Sequence, residues 1–177
     1  SPNDTHFYYI NELRNKYIFC EKPPVTSLKE IQQLKSLDCK KIYFNFNKRF
    51  SKISEVLKDI KNYNLGDLIY GNLICSHGLA FKKEYKSSWR ADKSKAKKGV
   101  FEIVSIHDID LINLHFKIMN KAKPILMNFS NVGNSSDTSL ITVEVKNNAK
   151  VNIFSTYTSS LCEDWILMFK NGIIKLN

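Results

Sequence analysis

Glu21 and Lys22 stand at a position where their charged side chains could meet a ligand. They follow a short apolar run and precede two prolines. The run predicts a buried strand that stops at the prolines, because proline cannot donate a backbone N–H to a sheet. The pair would then lie at the carboxyl edge of a strand, where ligands bind in open α/β sheets. Taken alone, such a sequence is more often an ordinary solvated turn.

His107 and Asp110 form a second candidate pair, on a mostly buried helix predicted over Val100 to Phe116. Their spacing places both on one helix face, where a carboxylate can hold and polarise an imidazole. A histidine with a pKa of about 6.5 is a reasonable proton acceptor at neutral pH. Spacing alone favours the alternative, a core histidine satisfied by a neighbouring carboxylate or an Asp in a purely structural contact.

Helices and strands alternate over residues 1–64, the segment that contains Lys22. A helix capped by Asp4 with an apolar face at Phe7, Ile10, Leu13 and Tyr17 precedes the strand Tyr17 to Cys20. A capping box at Ser27 predicts a second helix, with Leu28, Ile31, Leu34 and Leu37 on one face. A strand over Lys41 to Phe46 and a third helix, with Ile53, Val56, Leu57 and Ile60 inward, follow. This alternation predicts an α/β fold with a parallel sheet.

Residues 65–177 have a different character and are predicted to form a second, α+β domain. A long strand over Leu68 to Ala80 leads to a basic stretch and then to the helix that carries His107. The rest is strand-like, ending in a hairpin through Asn171-Gly172. The predicted strands are Ile125 to Phe129, Leu140 to Val145, Val151 to Tyr157, Trp165 to Phe169 and Ile173 to Leu176. They indicate an open, largely antiparallel sheet.

Composition fits a soluble globular protein of 177 residues, with 43% hydrophobic and 25% charged residues. No apolar run reaches the ~18 residues of a membrane helix, and no signal peptide is visible, so the cytoplasm is expected. The chain begins with Ser1 rather than Met, which suggests a fragment or a processed chain. The scattered cysteines and histidines predict neither a metal site nor a disulfide framework.

The net charge of +10 raises the alternative of a nucleic-acid-binding module. Most of the basic charge is lysine spread along the chain, with only three arginines. Diffuse solubilisation by lysine is therefore favoured over a nucleic-acid site.

Several motifs occur in a fixed order along nearly the whole chain. They are Ser1-Pro2-Asn3-x-x-His6, Cys20-Glu21-Lys22-Pro23, Asn47-x-Arg49-Phe50, Trp89-Arg90, Gly99-Val100 and His107-x-x-Asp110. Each is weak alone, but the ordered series resembles the Gfo/Idh/MocA family of NAD(P)-dependent oxidoreductases, which act mainly on sugars, polyols and related hydroxy compounds. The resemblance implies the remainder of a Rossmann domain (1–64) followed by a substrate and oligomerisation domain (65–177), with homo-oligomer contacts through its open sheet.

The resemblance also implies roles for individual residues, with NAD or NADP as the cofactor and a small sugar-like molecule as the substrate. Lys22 would hydrogen-bond the reacting hydroxyl and the nicotinamide ribose, and His107 would be the general base. The implied cofactor contacts are Pro2, Asn3, His6, Glu21 and Lys22. The implied substrate contacts are Arg49, Trp89, Arg90 and Asp110.

Three departures from the family pattern bear on activity. No glycine series approaches G-x-G-x-x-G, so the pyrophosphate loop is expected upstream of this chain. Where the family commonly has an Asp one turn before the histidine, this chain has Ile103. Glu102 is one residue away, a rotation of about 100° on a helix, and is not expected to substitute. Third, the glycines that usually precede this helix in the family are reduced to Lys97-Lys98-Gly99, which is expected to crowd the cofactor side. The carboxyl end is also expected to stop before the family's final strands.

Three functions therefore stay open, in this order of preference: a dehydrogenase, a sugar-binding or scaffolding relative that has lost the chemistry, and a nucleic-acid-binding module. This chain alone is expected to be inactive, since half a dinucleotide site should bind weakly.

Overall fold

The structure is a computed structural model that describes residues 2–177 and contains two separate sheets. The smaller pairs β1 (Ile18–Cys20) with β2 (Ile42–Phe44) in parallel. The larger has the order β4-β5-β6-β3-β7-β8. Its strands are β3 (Leu68–Ser76), β4 (Ile125–Met127), β5 (Thr138–Glu144), β6 (Lys150–Thr156), β7 (Cys162–Phe169) and β8 (Gly172–Leu176). The helices are α1 (His6–Glu12), α2 (Leu28–Ser36), α3 (Lys52–Lys58) and α4 (Ile106–Phe116).

The parallel pairing predicted for the first part of the chain is confirmed, with Ile18 opposite Ile42. A small core holds Ile10 of α1 against this pair. The first helix is shorter than predicted, and Thr5 rather than Asp4 occupies its N-cap, without a side-chain hydrogen bond. Because α1 ends at Glu12, the predicted apolar face does not continue to Tyr17, which is 78% exposed.

The capping box that begins α2 is confirmed. The Ser27 hydroxyl accepts a hydrogen bond from the Glu30 amide at 3.2 Å, and a Glu30 carboxylate oxygen accepts one from the Ser27 amide at 3.1 Å. The predicted face is buried at one end only. Leu34 and Leu37 pack against the small core of Ile10, Cys20 and Ile42, whereas Leu28 is 80% exposed and Ile31 is also exposed. Local capping therefore defines where this helix starts, and the later part of its apolar face joins the core.

The six-stranded sheet is largely antiparallel, as predicted, except that β3 and β6 run parallel. Leu73, Ile153 and Trp165 are fully buried on one face, where they pack with α4. The β7–β8 hairpin is confirmed, but its turn is Lys170-Asn171, one residue earlier than predicted, with Gly172 already paired to Phe169. Strand β3 ends at Ser76, four residues before the predicted end.

The predicted helix over Val100 to Phe116 starts as a π-helix, Phe101–Ser105, and continues as α4. Gly99 before it has φ +52°, and a Cβ there would lie 1.8 Å from the Ser136 carbonyl oxygen. Only glycine fits this close approach. The Val100 amide next to it donates a hydrogen bond to the same carbonyl at 2.9 Å, so the helix start is held against the loop before β5.

The division at residue 64 stays a prediction. Leu57 of α3, in the first segment, packs in the same hydrophobic core as the six-stranded sheet. The two sheets are thus connected through α3 and α4. No helix in residues 2–177 combines the length and apolar character needed to cross a membrane.

Candidate active site

A cavity of about 670 Å³ opens where the carboxyl ends of the parallel strands of both sheets meet. Lys22 follows β1, Lys48 follows β2, His77 follows β3 and Tyr157 follows β6, and all four line the cavity. Side chains collect here because parallel strands end at the same edge of a sheet. Its volume lies within the range of small-molecule sites, about 300–1,000 Å³.

Lys22 reaches into the cavity and donates a hydrogen bond from Nζ to the backbone carbonyl of Ile103. Burial lowers the pKa of Lys22 to about 8, although the neighbouring Glu21 carboxylate raises it and Arg90 and Lys48 lower it. The ammonium therefore predominates at neutral pH, yet this lysine loses its proton far more readily than an exposed one.

His107 faces the same cavity, with its ring edge-on to Phe46 at a centroid distance of 6.4 Å. Burial lowers its pKa to about 3, and the positive charges of Lys22 and Lys48 act in the same direction. The imidazole is thus neutral at physiological pH. Its Nδ1 is buried and has no hydrogen-bond partner within the described part of the chain.

Asp110 does not hold the His107 ring, so the pairing suggested by their spacing is wrong. Its carboxylate instead accepts two hydrogen bonds from the Arg49 guanidinium, at 2.7 and 2.6 Å. Arg49 also stacks over Phe46, with 5.1 Å from Cζ to the ring centroid. Arg49 and Asp110 were expected to contact substrate, but they bind each other and neither lines the cavity wall.

Trp89 and Arg90 lie at the junction between the large cavity and a smaller one of about 190 Å³. The Arg90 guanidinium stacks on the Trp89 ring at 4.4 Å. Arg90 lines both cavities, whereas Trp89 lines only the smaller. Lys22 and Ile103 are also common to both, so these residues form the wall between them.

The smaller cavity brings together most of the residues expected to contact a cofactor. Asn3, His6, Glu21 and Lys22 all line it. Pro2 is outside this lining, so its expected cofactor contact is not supported by its position, and Ser1 of the same motif lies outside the described residues.

Two polar groups in this cavity's wall could meet a ligand. The His6 Nδ1 lies 2.8 Å from the Pro23 carbonyl oxygen, which places the proton on Nδ1 and leaves the buried His6 Nε2 as a free acceptor within residues 2–177. The buried Asn3 amide makes no hydrogen bond of good geometry there, although it lies near enough to Glu102 to lower the pKa of that carboxyl. An acceptor and a donor in one cavity wall suit a ligand group that both donates and accepts.

Sequence reasoning missed an ion-pair cluster that closes one side of the large cavity. Lys48 Nζ lies 2.5 Å from a carboxylate oxygen of Asp108 and 2.5 Å from one of Glu163. Asp108 is completely buried. Burial opposes the charged form of Lys48, but the Asp108 carboxylate, Cys75 and the hydrogen bonds to Asp108 and Glu163 together outweigh it and raise the Lys48 pKa. The strand-edge argument used for Lys22 applies equally to Lys48 and could have found it.

Ile103 and Glu102 face different spaces, which agrees with the rotation expected from their one-residue offset. Ile103 lines the two cavities described above. Glu102 lines a third, of about 200 Å³, beside α2. Burial raises the pKa of the Glu102 carboxyl. Among the described residues, Ile103 thus stands in the wall of the cavity that contains His107, and the Glu102 carboxylate does not line that cavity.

No protein-family model matches this sequence, and no curated protein matches it. Solved structures match the fold. A levoglucosan dehydrogenase in complex with NADH and levoglucosan has a TM-score of 0.86 at 20% identity, covering 100% of this chain and 52% of that one. An inositol dehydrogenase homologue from Azotobacter vinelandii, complexed with NAD+, has a TM-score of 0.84 at 18% identity over 99% of this chain and 49% of that one.

A myo-inositol dehydrogenase from Corynebacterium glutamicum also matches, with a TM-score of 0.79 at 20% identity, covering 100% of this chain and 54% of that one. At these identities the likeness shows the fold alone. The fold implied by the motif series is thereby confirmed, and the chain spans about half the length of these structures.

The buried ion pair yields a stability prediction. In the intact protein, Lys48→Met should destabilise the fold by about 3–5 kcal/mol, because it leaves the Asp108 carboxylate buried without a counter-ion. Urea unfolding measures the change. The deficit should shrink as pH falls, since a protonated Asp108 needs no counter-ion, and Lys48→Met with Asp108→Asn should recover part of it.

Lys52→Met is the matched control, because the Lys52–Glu55 pair is exposed and such pairs are worth about 0–1 kcal/mol. Equal destabilisation by the two lysine substitutions would contradict the structural role given to Lys48.

Proposed function

We propose that this chain is part of an NAD(P)-dependent oxidoreductase of the Gfo/Idh/MocA family, transferring hydride between the cofactor and a sugar, polyol or related hydroxy compound. The observation that carries the proposal is the meeting of Lys22 and His107 in one cavity, next to a smaller cavity lined by Asn3, His6 and Glu21. The motif order and the shared fold with sugar and polyol dehydrogenases support it.

The smaller cavity fits the nicotinamide end of a dinucleotide. The free acceptor on His6 and the amide donor of Asn3 are complementary to a carboxamide or a ribose hydroxyl. Glu21 beside them is held by a hydrogen bond from the Asn45 amide at 2.6 Å. A bound nicotinamide would supply hydride transfer. Asn3, His6, Glu21 and Lys22 are the residues that would hold it.

In this proposal Lys22 and His107 together promote removal of the proton from the reacting hydroxyl. The Lys22 ammonium would hydrogen-bond the reacting hydroxyl and stabilise negative charge as it develops on the oxygen. The neutral His107 would accept the hydroxyl proton, since its lowered pKa leaves the ring unprotonated. Because its proton affinity is low, His107 would be a weak base. Deprotonation of the hydroxyl would therefore depend largely on Lys22, which stabilises the negative charge on the oxygen.

This scheme predicts large losses of turnover in the intact protein. Lys22→Ala and His107→Ala should each reduce kcat by about 100-fold or more, the usual contribution of a positioned acid or base. NADH formation at 340 nm, measured over a panel of sugars and polyols, gives the rates. Lys52→Ala, on the exposed face of α3, should leave them unchanged. Failure of the intact protein to bind NAD(P)H, or unchanged turnover in both variants, would sink the proposal.

The proposed roles of Lys22 and His107 also predict how kcat/KM depends on pH. The Lys22 pKa of about 8 means that the ammonium is lost as pH rises through 8, so kcat/KM should fall above that pH. The His107 pKa of about 3 means that no histidine limb should occur between pH 5 and 7.

A second candidate is a relative that binds its ligand without turning it over. The observation favouring it is the His107 ring itself, which has two cationic neighbours and no carboxylate, with Ile103 in the wall beside it. Hydride transfer from any substrate by the intact protein would exclude this candidate.

An acidic side chain at position 103 should alter the protonation of His107, the proposed base. Ile103→Asp places a carboxylate in the wall shared with His107, which should raise the pKa of His107 by about 1 or more because the imidazolium gains a counter-ion. NMR titration of the His107 imidazole in the intact protein measures the pKa. Ile103→Asn, equal in shape but uncharged, is the control. Equal pKa values in the two variants would show that residue 103 does not act on His107.

We also propose that copies of the protein associate through the open face of the six-stranded sheet. On the face away from α4, Leu140 lies opposite Phe154, and Phe154 lies opposite Ile74, forming an apolar row across three strands. Met168 extends this apolar surface and is 40% exposed. Contiguous apolar surface of this kind typically marks an interface.

Phe154→Glu should therefore disrupt association. Sedimentation of the intact protein at about 10 µM should show an oligomer that the variant converts mainly to monomer. At this concentration a dimer with a Kd of about 1 µM or less is mostly associated. Gln33→Glu on exposed α2 adds the same charge elsewhere and should leave the mass unchanged. A monomeric parent protein would contradict the proposed contact.

A further inference from the structure

The large cavity carries more positive charge than its own carboxylates balance. Four cationic side chains and one carboxylate line it, namely Lys22, Lys48, Lys82, Arg90 and Glu163. Glu163 is already bound to Lys48, which also holds the buried Asp108. In residues 2–177 no ion pair includes any of the other three cations. A neutral polyol would leave this charge unmatched.

Arg90 is the cation best placed to bind an anion. Its guanidinium is stacked on the Trp89 ring at 4.4 Å, which fixes the plane of the donors. A planar, fixed guanidinium offers parallel N–H groups that match carboxylate and phosphate oxygens. The neighbouring histidine, His77, does not add charge, because burial and Lys48 lower its pKa.

Tyr157 provides a second feature of the same wall. It is 2% exposed and lines the cavity. Its hydroxyl lies within reach of the Arg90 guanidinium, which can only donate to it, so the hydroxyl proton itself has no acceptor within the described chain. Its ring is held edge-on by Tyr85 at 5.8 Å and by His77 at 6.4 Å. Burial raises the pKa of Tyr157, so its hydroxyl keeps its proton and is a donor at physiological pH. A buried donor without an acceptor is costly, and a ligand oxygen would relieve it.

We propose that the cavity binds a sugar-like substrate carrying an anionic group, a carboxylate or a phosphate, held by Arg90 and the Tyr157 hydroxyl with Lys82 beside them. This inference rests on the proposed function and names the substrate class of that site. The anionic end would lie against Arg90 and Tyr157, leaving the reacting hydroxyl for Lys22 and His107. A carboxylate and a phosphate would bind these donors in the same way, and titration with sugars that carry one or the other distinguishes them.

The test compares sugars that differ only at C6, using calorimetric titration of the intact protein with and without saturating NADH. D-glucose, D-glucuronate and D-glucose 6-phosphate form one series, and the corresponding D-galactose compounds form another. At least one anionic sugar should bind about tenfold or more tightly than its neutral parent, as expected for charge-assisted hydrogen bonds. The tighter member identifies carboxylate or phosphate as the recognised group.

Arg90→Gln should abolish this preference, so that the anionic sugar binds no more tightly than its neutral parent in the same variant, and Arg90→Lys should retain part of it. Tyr157→Phe should reduce it. Lys52→Gln removes a distant charge and should keep the full preference, with thermal unfolding confirming that each variant is folded. The inference is overturned if no anionic sugar binds more tightly than its parent, or if Arg90→Gln keeps the preference.

The two proposals fail separately. Tight binding of an anionic sugar without hydride transfer to NAD(P)+ would support the anion site and count against the dehydrogenase. Oxidation of neutral sugars with no preference for anions would support the dehydrogenase and overturn the anion site.

Discussion

The ion pairs of Lys48 with Asp108 and Glu163 hold the site together. Lys48 follows β2 of the small sheet, Asp108 lies on α4, and Glu163 begins β7 of the large sheet. One ammonium therefore ties the two sheets to the helix that carries His107. Because Asp108 is fully buried, loss of Lys48 would leave an uncompensated charge in the interior. The position of His107, one residue before Asp108, follows from this attachment.

The same cluster decides which charges remain for a ligand. Lys48 is paired with its two carboxylates, so the positive charge of the cavity without an ion-pair partner in the described chain belongs to Lys22, Lys82 and Arg90. Burial lowers the His107 pKa most, and the charges of Lys22 and Lys48 lower it further. A structural ion pair thus sets the electrostatics of a proposed reaction centre that lies beside it.

The sequence allowed the strand-edge position of Lys22 and the parallel pairing of Ile18 with Ile42 to be predicted, because both depend on local rules of strand termination and alternation. It did not allow the partner of Asp110 to be predicted. Helical spacing places two side chains on one face, but whether they bond depends on what a third element, here the Arg49 segment, brings to that face. The apolar face of α2 is a similar case: Leu34 and Leu37 pack against the small core but Leu28 is exposed, since periodicity describes a helix and not how far its neighbour extends.

A carboxylate at position 103 could both accept a hydrogen bond from Lys22 and stabilise a protonated His107, whereas Ile103 can do only the first. Its backbone carbonyl accepts the hydrogen bond from Lys22, so Lys22 is oriented without any acid in the wall. A carbonyl carries only a partial charge, however, and cannot stabilise an imidazolium as a carboxylate does. Ile103 therefore positions Lys22 without supplying a counter-ion to a protonated His107. In the proposed reaction, charge stabilisation by the Lys22 ammonium would then matter more than the basicity of His107, whose pKa is about 3.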